Sequence, residues 1–207
     1  MFFASDNGGP AHPSVIEAIA KANGGYTSAY GAEAGMDRVR NRLREVFEAP
    51  EAAIYLVATG TAANSIALAT LSNPWDTIFC TSMAHINEDE CNAPEFYSGG
   101  AKLTLVGDQD AKMSPDALRA AIAAEESRGV HGPQRGPVSI TNATEKGTVY
   151  SPSEISTLTG IAQDFGLKTH LDGARFANAL VSQGCTPAEM TWKAGSTRSA
   201  SAAPRTG

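Results

Sequence analysis

Lys168-Thr169-His170-Leu171-Asp172-Gly173-Ala174-Arg175 is the stretch that decides the fold class. Leu167 to Leu171 reads as a strand and Gly173 to Ser182 as the helix after it, so the junction hands a carboxylate to the carboxyl end of a strand. Ligands of open α/β sheets bind at that end. Gly173 and Ala174 keep the space beside Asp172 small, and Arg175 falls on the first turn of the helix. An Asp so placed can pair with a cationic ring nitrogen, and an Arg can hold a carboxylate or an oxyanion. A helix-capping Asp followed by a surface Arg fits the same residues. His170 alternates away from Asp172's immediate neighbours and reads as structural.

Working outward, helical and extended patterns alternate along the chain. Pro13 to Asn23 and Met36 to Glu48 read as helices, the second with a solvated Arg/Glu face. The apolar run Ala53-Ile54-Tyr55-Leu56-Val57-Ala58 predicts a strand covered on both faces, followed by a helix from Ala62 to Leu71. Strands are expected at Thr77 to Thr81, Lys102 to Val106 and Pro137 to Thr141. Pro115 to Glu126 is a helix with Ser114 as N-cap, and Ser153 to Phe165 follows a capping box at Ser151 to Glu154. Thr186 to Ala194 is a last helix. The alternation predicts an α/β fold, with a mainly parallel sheet and flanking helices.

Composition narrows the class of protein. The chain has 207 residues, with 16 Lys+Arg against 22 Asp+Glu and a net charge of −6. That acidity speaks against nucleic acid or a polybasic membrane surface as the main partner. The hydrophobic content of 42% fits a globular chain rather than disorder. Cys80, Cys91 and Cys185 are odd in number and lack metal-ligand spacing, so neither a disulfide framework nor a zinc site is expected. The N-terminus MFFASDNGG has no basic region and is not read as a signal peptide, which makes a cytoplasmic location the expectation. Residues 195–207 hold only Gly, Ser, Thr, Ala, Arg and Pro, a composition that predicts a disordered tail.

Three further segments can carry chemistry. In Ala58-Thr59-Gly60-Thr61-Ala62-Ala63-Asn64 a turn opens a helix with small residues, whose free N–H groups suit a phosphate; a plain tight turn is the rival reading. Neither a Walker A loop nor a Gly-x-Gly-x-x-Gly fingerprint is present, which leaves a nucleotide-binding domain as a weak reading. His85 follows the Thr77 to Thr81 strand and suits stacking on a flat cofactor or acting as a base. His131 sits in a Gly-flanked loop, where a lone His is more often a bystander than a base. His85 and Asp89 are spaced i,i+4 without a visible third metal ligand.

Taken in order, Ser5-Asp6-Asn7, the Thr59-Gly60-Thr61-Ala62-Ala63 turn, the His85 segment, Asn142-Ala143-Thr144-Glu145 and His170-Leu171-Asp172-Gly173-Ala174-Arg175 resemble the low-specificity L-threonine aldolases. These belong to the β-eliminating lyase group of fold-type-I pyridoxal-phosphate (PLP) enzymes. The resemblance runs from Met1 to Ala194 and implies an incomplete large PLP-binding domain over residues 1–194. It further implies PLP as cofactor, an amino-acid substrate and a homo-oligomer in the intact enzyme. Gly60 and Thr61 would hold the phosphate, His85 would stack on the ring, and Asp172 would pair with the ring nitrogen. Arg175 and Ser5 would contact the substrate carboxylate or the cofactor's oxygen edge. His85 or His131 would take the proton of the substrate hydroxyl. The implied reaction cleaves the Cα–Cβ bond of a 3-hydroxy-amino acid to glycine and an aldehyde. Another β-eliminating lyase activity and a non-catalytic fragment are the alternatives.

One part of the pattern is absent. The family carries its Schiff-base lysine in a Ser-Phe-Gly-Gly-Thr-Lys-Asn-Gly stretch soon after a segment like Met190 to Gly195, and neither Lys193 nor Lys168 matches it. Reading codons from the third base of Gly195, with permitted codon choices throughout, spells Val-Asp-Ala-Leu-Ser-Phe-Gly-Gly-Thr-Lys-Asn-Gly. The expectation is a frameshifted chain, with the lysine at the position of Arg205 and the C-terminal small domain absent. Nucleotide sequence across codon 195 tests it.

Overall fold

The computed structural model describes residues 10–201, which fall into two compact units, 10–54 and 55–201. The first holds α1 (Pro13–Ala22) and α2 (Ala34–Val46). The α1 N-terminus is capped by His12, whose Nδ1 accepts from the Ser14 amide at 3.3 Å. Arg40 donates to the Gly31 carbonyl at 3.2 Å and Arg44 to that of Ala52 at 3.1 Å, fastening both flanking loops to α2.

The second unit begins with α3 (Gly60–Ala69), β1 (Asp76–Thr81), α4 (His85–Glu88) and α5 (Ala93–Tyr97). Next come β2 (Lys102–Val106), a small antiparallel pair β3 (Asp108–Gln109) and β4 (Lys112–Met113), and α6 (Pro115–Glu125). A 3-10 turn at Glu126–His131 leads into β5 (Gln134–Thr141). The unit closes with α7 (Pro152–Asp164), β6 (Thr169–Gly173), α8 (Phe176–Gln183), α9 (Pro187–Met190), a 3-10 turn at Trp192–Ala194 and β7 (Arg198–Ser201).

The five strands β2-β1-β5-β6-β7 lie in that order, and every pair is parallel. The chain runs from β1 outward to β2, then returns to place β5 on the other side of β1. The strand order therefore reverses beside β1, and open α/β sheets bind their ligands outside the carboxyl ends at such a point. All six residues of β1 and all five of β6 are buried, as expected of parallel strands covered on both faces. Leu68, Ile78, Cys80, Ala84, Ile86 and Ala101 form one buried cluster. Helices α6 and α7 pack on each other, and α3 lies against α5, β6 and β7.

Gly136 is required where β5 meets β1. A Cβ there would drive into the Thr77 carbonyl and lie 3.0 Å from Asp76 Cβ, at the point where the register of the two strands shifts. The capping box expected at Ser151 is present, with the Ser151 amide donating to Glu154 at 2.8 Å.

Two expectations are corrected. Residues 53–58 form no strand; Tyr55 and Leu56 are 84% and 64% exposed. The run joins no strand of the sheet, whose order β2-β1-β5-β6-β7 does not include it. The start of the expected disordered tail is ordered: β7 pairs with β6, Asp172 opposite Ala200. Thr197 donates its amide to Thr169 Oγ1 at 3.1 Å, and Thr169 donates its hydroxyl to the Gly195 carbonyl at 3.0 Å. The ladder uses backbone groups, so the polar composition of the segment did not reveal it.

Candidate active site at the carboxyl ends of the strands

Asp172 is the penultimate residue of β6 and is 3% exposed. One carboxylate oxygen accepts the Ala174 amide at 3.0 Å, a local turn that small residues at 173 and 174 permit. The other accepts from the side chain of Asn64 at 3.1 Å. Asn64 lies one helical turn after Gly60 on α3, about 6 Å along the axis. Helix α3 therefore presents its N-terminus at Gly60 and Thr61 and an amide to Asp172 from the same short rod. Thr59 caps that N-terminus, its hydroxyl accepting from the Ala62 amide at 3.1 Å. A Cβ on Gly60 would meet nothing within 4 Å, so the approach to the first amides is open.

The same Asn64 amide also donates to Glu90 at 2.8 Å. Glu90 is delivered by the short α4–α5 corner, where Cys91 and Asn92 both adopt left-handed backbone, φ 51° and 59°. Such conformations cost on the order of 1–3 kcal/mol each in non-glycine residues and cluster at functional sites. Here they turn the Glu90 side chain fully into the protein. Its Oε1 also meets His85 Nδ1 at 2.8 Å. His85, at the start of α4, keeps about a third of its side chain exposed. Burial pushes the Glu90 carboxyl above its ordinary range; the hydrogen bonds from Asn64 and His85 oppose that shift, and the Asp172 charge adds to it.

On the neighbouring strand, β5 ends at Thr141 opposite Asp172, the Asn142–Ala143 peptide is cis, and a tight turn follows. The Asn142 amide donates to the Asp172 carbonyl at 2.9 Å, and its side chain is locked between the backbone of Tyr150 and Met190 Sδ. Arg175 reaches over this segment, donating to the Ala143 carbonyl at 3.3 Å and standing 3.8 Å from Glu145. Burial pushes the Glu145 carboxyl above its ordinary range; its own backbone amide and the charges of Arg175 and His85 oppose that shift, and the Asp172 charge adds to it.

The structure thus brings His85, Asp172, Arg175 and the Gly60–Thr61 turn to the carboxyl ends of the strands. It does not bring His131 there. That residue ends the 3-10 turn before β5, at the amino ends of the strands. Ser5 lies outside the described residues. His170, fully buried, has Nδ1 2.9 Å from Ser139 Oγ, and burial depresses its pKa to about 4, which fits a neutral structural ring. Asn64, Glu90 and Glu145 were missed as site residues. Their contacts join segments 26 and 108 positions apart, and no local spacing signals them. Among the described residues, no cluster of three or more His, Cys, Asp or Glu suits a metal, and no helix is long and apolar enough to cross a membrane.

An α/β domain with a parallel sheet, an anion-ready helix start and a buried Asp at a strand end is the fold of type-I PLP enzymes. A sequence profile described as Beta-eliminating lyase matches residues 3–199, and the chain belongs to that family. It is 41% identical over 193 residues to the low specificity L-threonine aldolases of a Pseudomonas species and of Pseudomonas aeruginosa, covering 93% of this chain and 55% of each relative. A Leishmania major threonine aldolase structure superposes with TM-score 0.83 at 29% identity, over 89% of this chain and 54% of that one. A serine palmitoyltransferase from S. paucimobilis with bound PLP-myriocin aldimine shares the fold at TM-score 0.56 and 19% identity, over 78% of this chain and 38% of that one. The chain spans about half the length of the curated Pseudomonas relatives.

Proposed function

We propose that this chain is the cofactor-binding portion of a PLP-dependent aldolase that cleaves the Cα–Cβ bond of L-threonine-like 3-hydroxy-amino acids. The observation that carries the reading is the link between α3 and β6. The helix whose N-terminus suits a phosphate is the helix whose Asn64 holds Asp172. PLP presents a phosphate at one end and a basic ring nitrogen at another, and the site offers a partner for each. The Gly60 and Thr61 amides would take the phosphate, Asp172 the ring nitrogen, and the His85 ring would lie against the cofactor plane.

Bound there, PLP supplies an electron sink for the pair left on Cα when the Cα–Cβ bond breaks. The chain's own residues orient and hold. Asn64 keeps Asp172 in place, and Glu90 fixes the His85 ring through Nδ1. Arg175, together with Ser5, is the proposed seat of the substrate carboxylate. Of the two histidines considered for the hydroxyl proton, His85 stands at this end of the sheet and His131 at the other. We further propose a cytoplasmic, homo-oligomeric intact enzyme.

The Schiff-base lysine does not occur in this reading frame at the expected motif, so the 207-residue chain by itself is proposed to be inactive. Threonine-dependent acetaldehyde release tests both halves of the reading. None is expected from this chain, and release is expected from a chain restored to the shifted frame after Gly195 and extended to the relatives' length. Turnover by the 207-residue chain at the restored chain's rate would overturn the inactivity. A restored chain that folds, binds PLP and leaves threonine intact would overturn the aldolase assignment.

A further inference from the structure

We propose that Glu145, rather than either histidine, is the group that receives the substrate's side-chain hydroxyl, an inference that rests on the aldolase reading above. Both carboxyl oxygens of Glu145 are buried, and beyond the residue's own backbone amide no donor serves them. Its nearest charge is Arg175 at 3.8 Å, beyond hydrogen-bond reach. A buried carboxyl without donors costs free energy that a fold does not leave uncompensated without a reason. By contrast, Glu90 spends one oxygen on Asn64 and His85.

The turn carrying Glu145 is rigid. The Thr144 amide donates to the Thr148 carbonyl at 2.9 Å, the two hydroxyls are 2.7 Å apart, and the Gly147 amide closes the turn onto the Thr144 carbonyl at 2.9 Å. The backbone that carries the carboxyl is therefore fixed, and the carboxyl lies short of donors beside the guanidinium proposed for the substrate carboxylate.

That neighbour fixes which part of the substrate Glu145 can face. The Arg175 guanidinium would take the substrate carboxylate, and the substrate's amino nitrogen would be taken up by the cofactor. What remains on a 3-hydroxy-amino acid is the hydroxyl, two bonds along from the carboxylate-bearing carbon. The hydroxyl donates to Glu145. In cleavage its proton passes to the carboxylate, the O–H pair becomes the second bond of the aldehyde C=O, and the Cα–Cβ pair is left on Cα. His85 is committed through Nδ1 to Glu90.

The test needs no turnover. Phosphopyridoxyl-L-threonine and phosphopyridoxyl-2-aminobutyrate are stable reduced adducts that differ only by the hydroxyl. Their Kd values for the 207-residue chain are measured by titration calorimetry. A hydrogen bond to a buried carboxylate predicts about tenfold or greater preference for the threonine adduct. Glu145→Ala should bring the two within about twofold. Glu145→Gln keeps the shape and one hydrogen bond and should fall between. Because each ratio is taken within one variant, a general loss of affinity cancels. A preference unchanged in Glu145→Ala, or none in the parent chain, overturns this inference alone. If neither adduct binds the parent chain, the cofactor reading fails and this inference with it.

Discussion

Replacing Asn64 by Ala should be among the most damaging single changes available outside the hydrophobic core. The Asn64 amide donates to Glu90 at 2.8 Å and to Asp172 at 3.1 Å, and all three side chains belong to residues no more than 3% exposed. Hydrogen bonds to charged groups contribute about 1.5–3 kcal/mol each, so losing both predicts a loss of about 3–6 kcal/mol. Against a typical total of about 5–15 kcal/mol, that is a large fraction of the stability. The effect also carries a pH signature. The Glu90 carboxyl already stands above its ordinary range, so between its unfolded and folded values the folded chain binds more protons than the unfolded one, and stability falls as pH rises. Asn64 is one of the groups holding that carboxyl down. Its removal raises the folded value further and widens the window. Urea unfolding of both proteins should therefore show a deficit that is smallest in acid, below the ordinary carboxylate range, and largest at neutrality. A deficit below about 1 kcal/mol, or one equal at both extremes, would refute the reasoning that Asn64 stabilises two buried carboxyl groups by donating to both.

Two further outcomes follow from geometry already described. Gly136→Ala forces a Cβ against the Thr77 carbonyl at the β1–β5 register shift, and should cost about 1–3 kcal/mol or more in urea unfolding; a neutral substitution would contradict the close approach. His170, buried and bonded to Ser139, should stay neutral on acidification until about pH 4. NMR titration of its ring reads this directly, and protonation at the ordinary histidine value would contradict the burial.

Much of the site's skeleton was legible in the sequence, and the residues explain which parts were not. Strand β6 and its Asp172 were readable because apolar and turn signals sit within eight residues, and the strand limits differ by only two positions from those expected. The α3 start was readable for the same local reason. Asn64 and Glu90 were not, because each owes its role to a partner brought close by the sheet. Glu145 lies within Asn142-Ala143-Thr144-Glu145, but its shortage of donors is a property of the folded surroundings. The 53–58 run shows the opposite failure: strong local strand chemistry in an exposed segment that joins no strand of the sheet. Strand β7 arises from backbone pairing to β6, which side-chain composition does not encode.

The protonation state of bound PLP decides whether Asp172 pairs with the cofactor's ring nitrogen. Nitrogen-15 NMR of ring-labelled PLP, titrated into the 207-residue chain and into Asp172→Ala, reports on the pyridine nitrogen itself. The account predicts a bound species whose ring nitrogen carries a proton in the parent chain, and loses it, or loses binding altogether, in the variant. A bound ring nitrogen that behaves identically in both proteins, or a parent chain that never binds PLP, would contradict it.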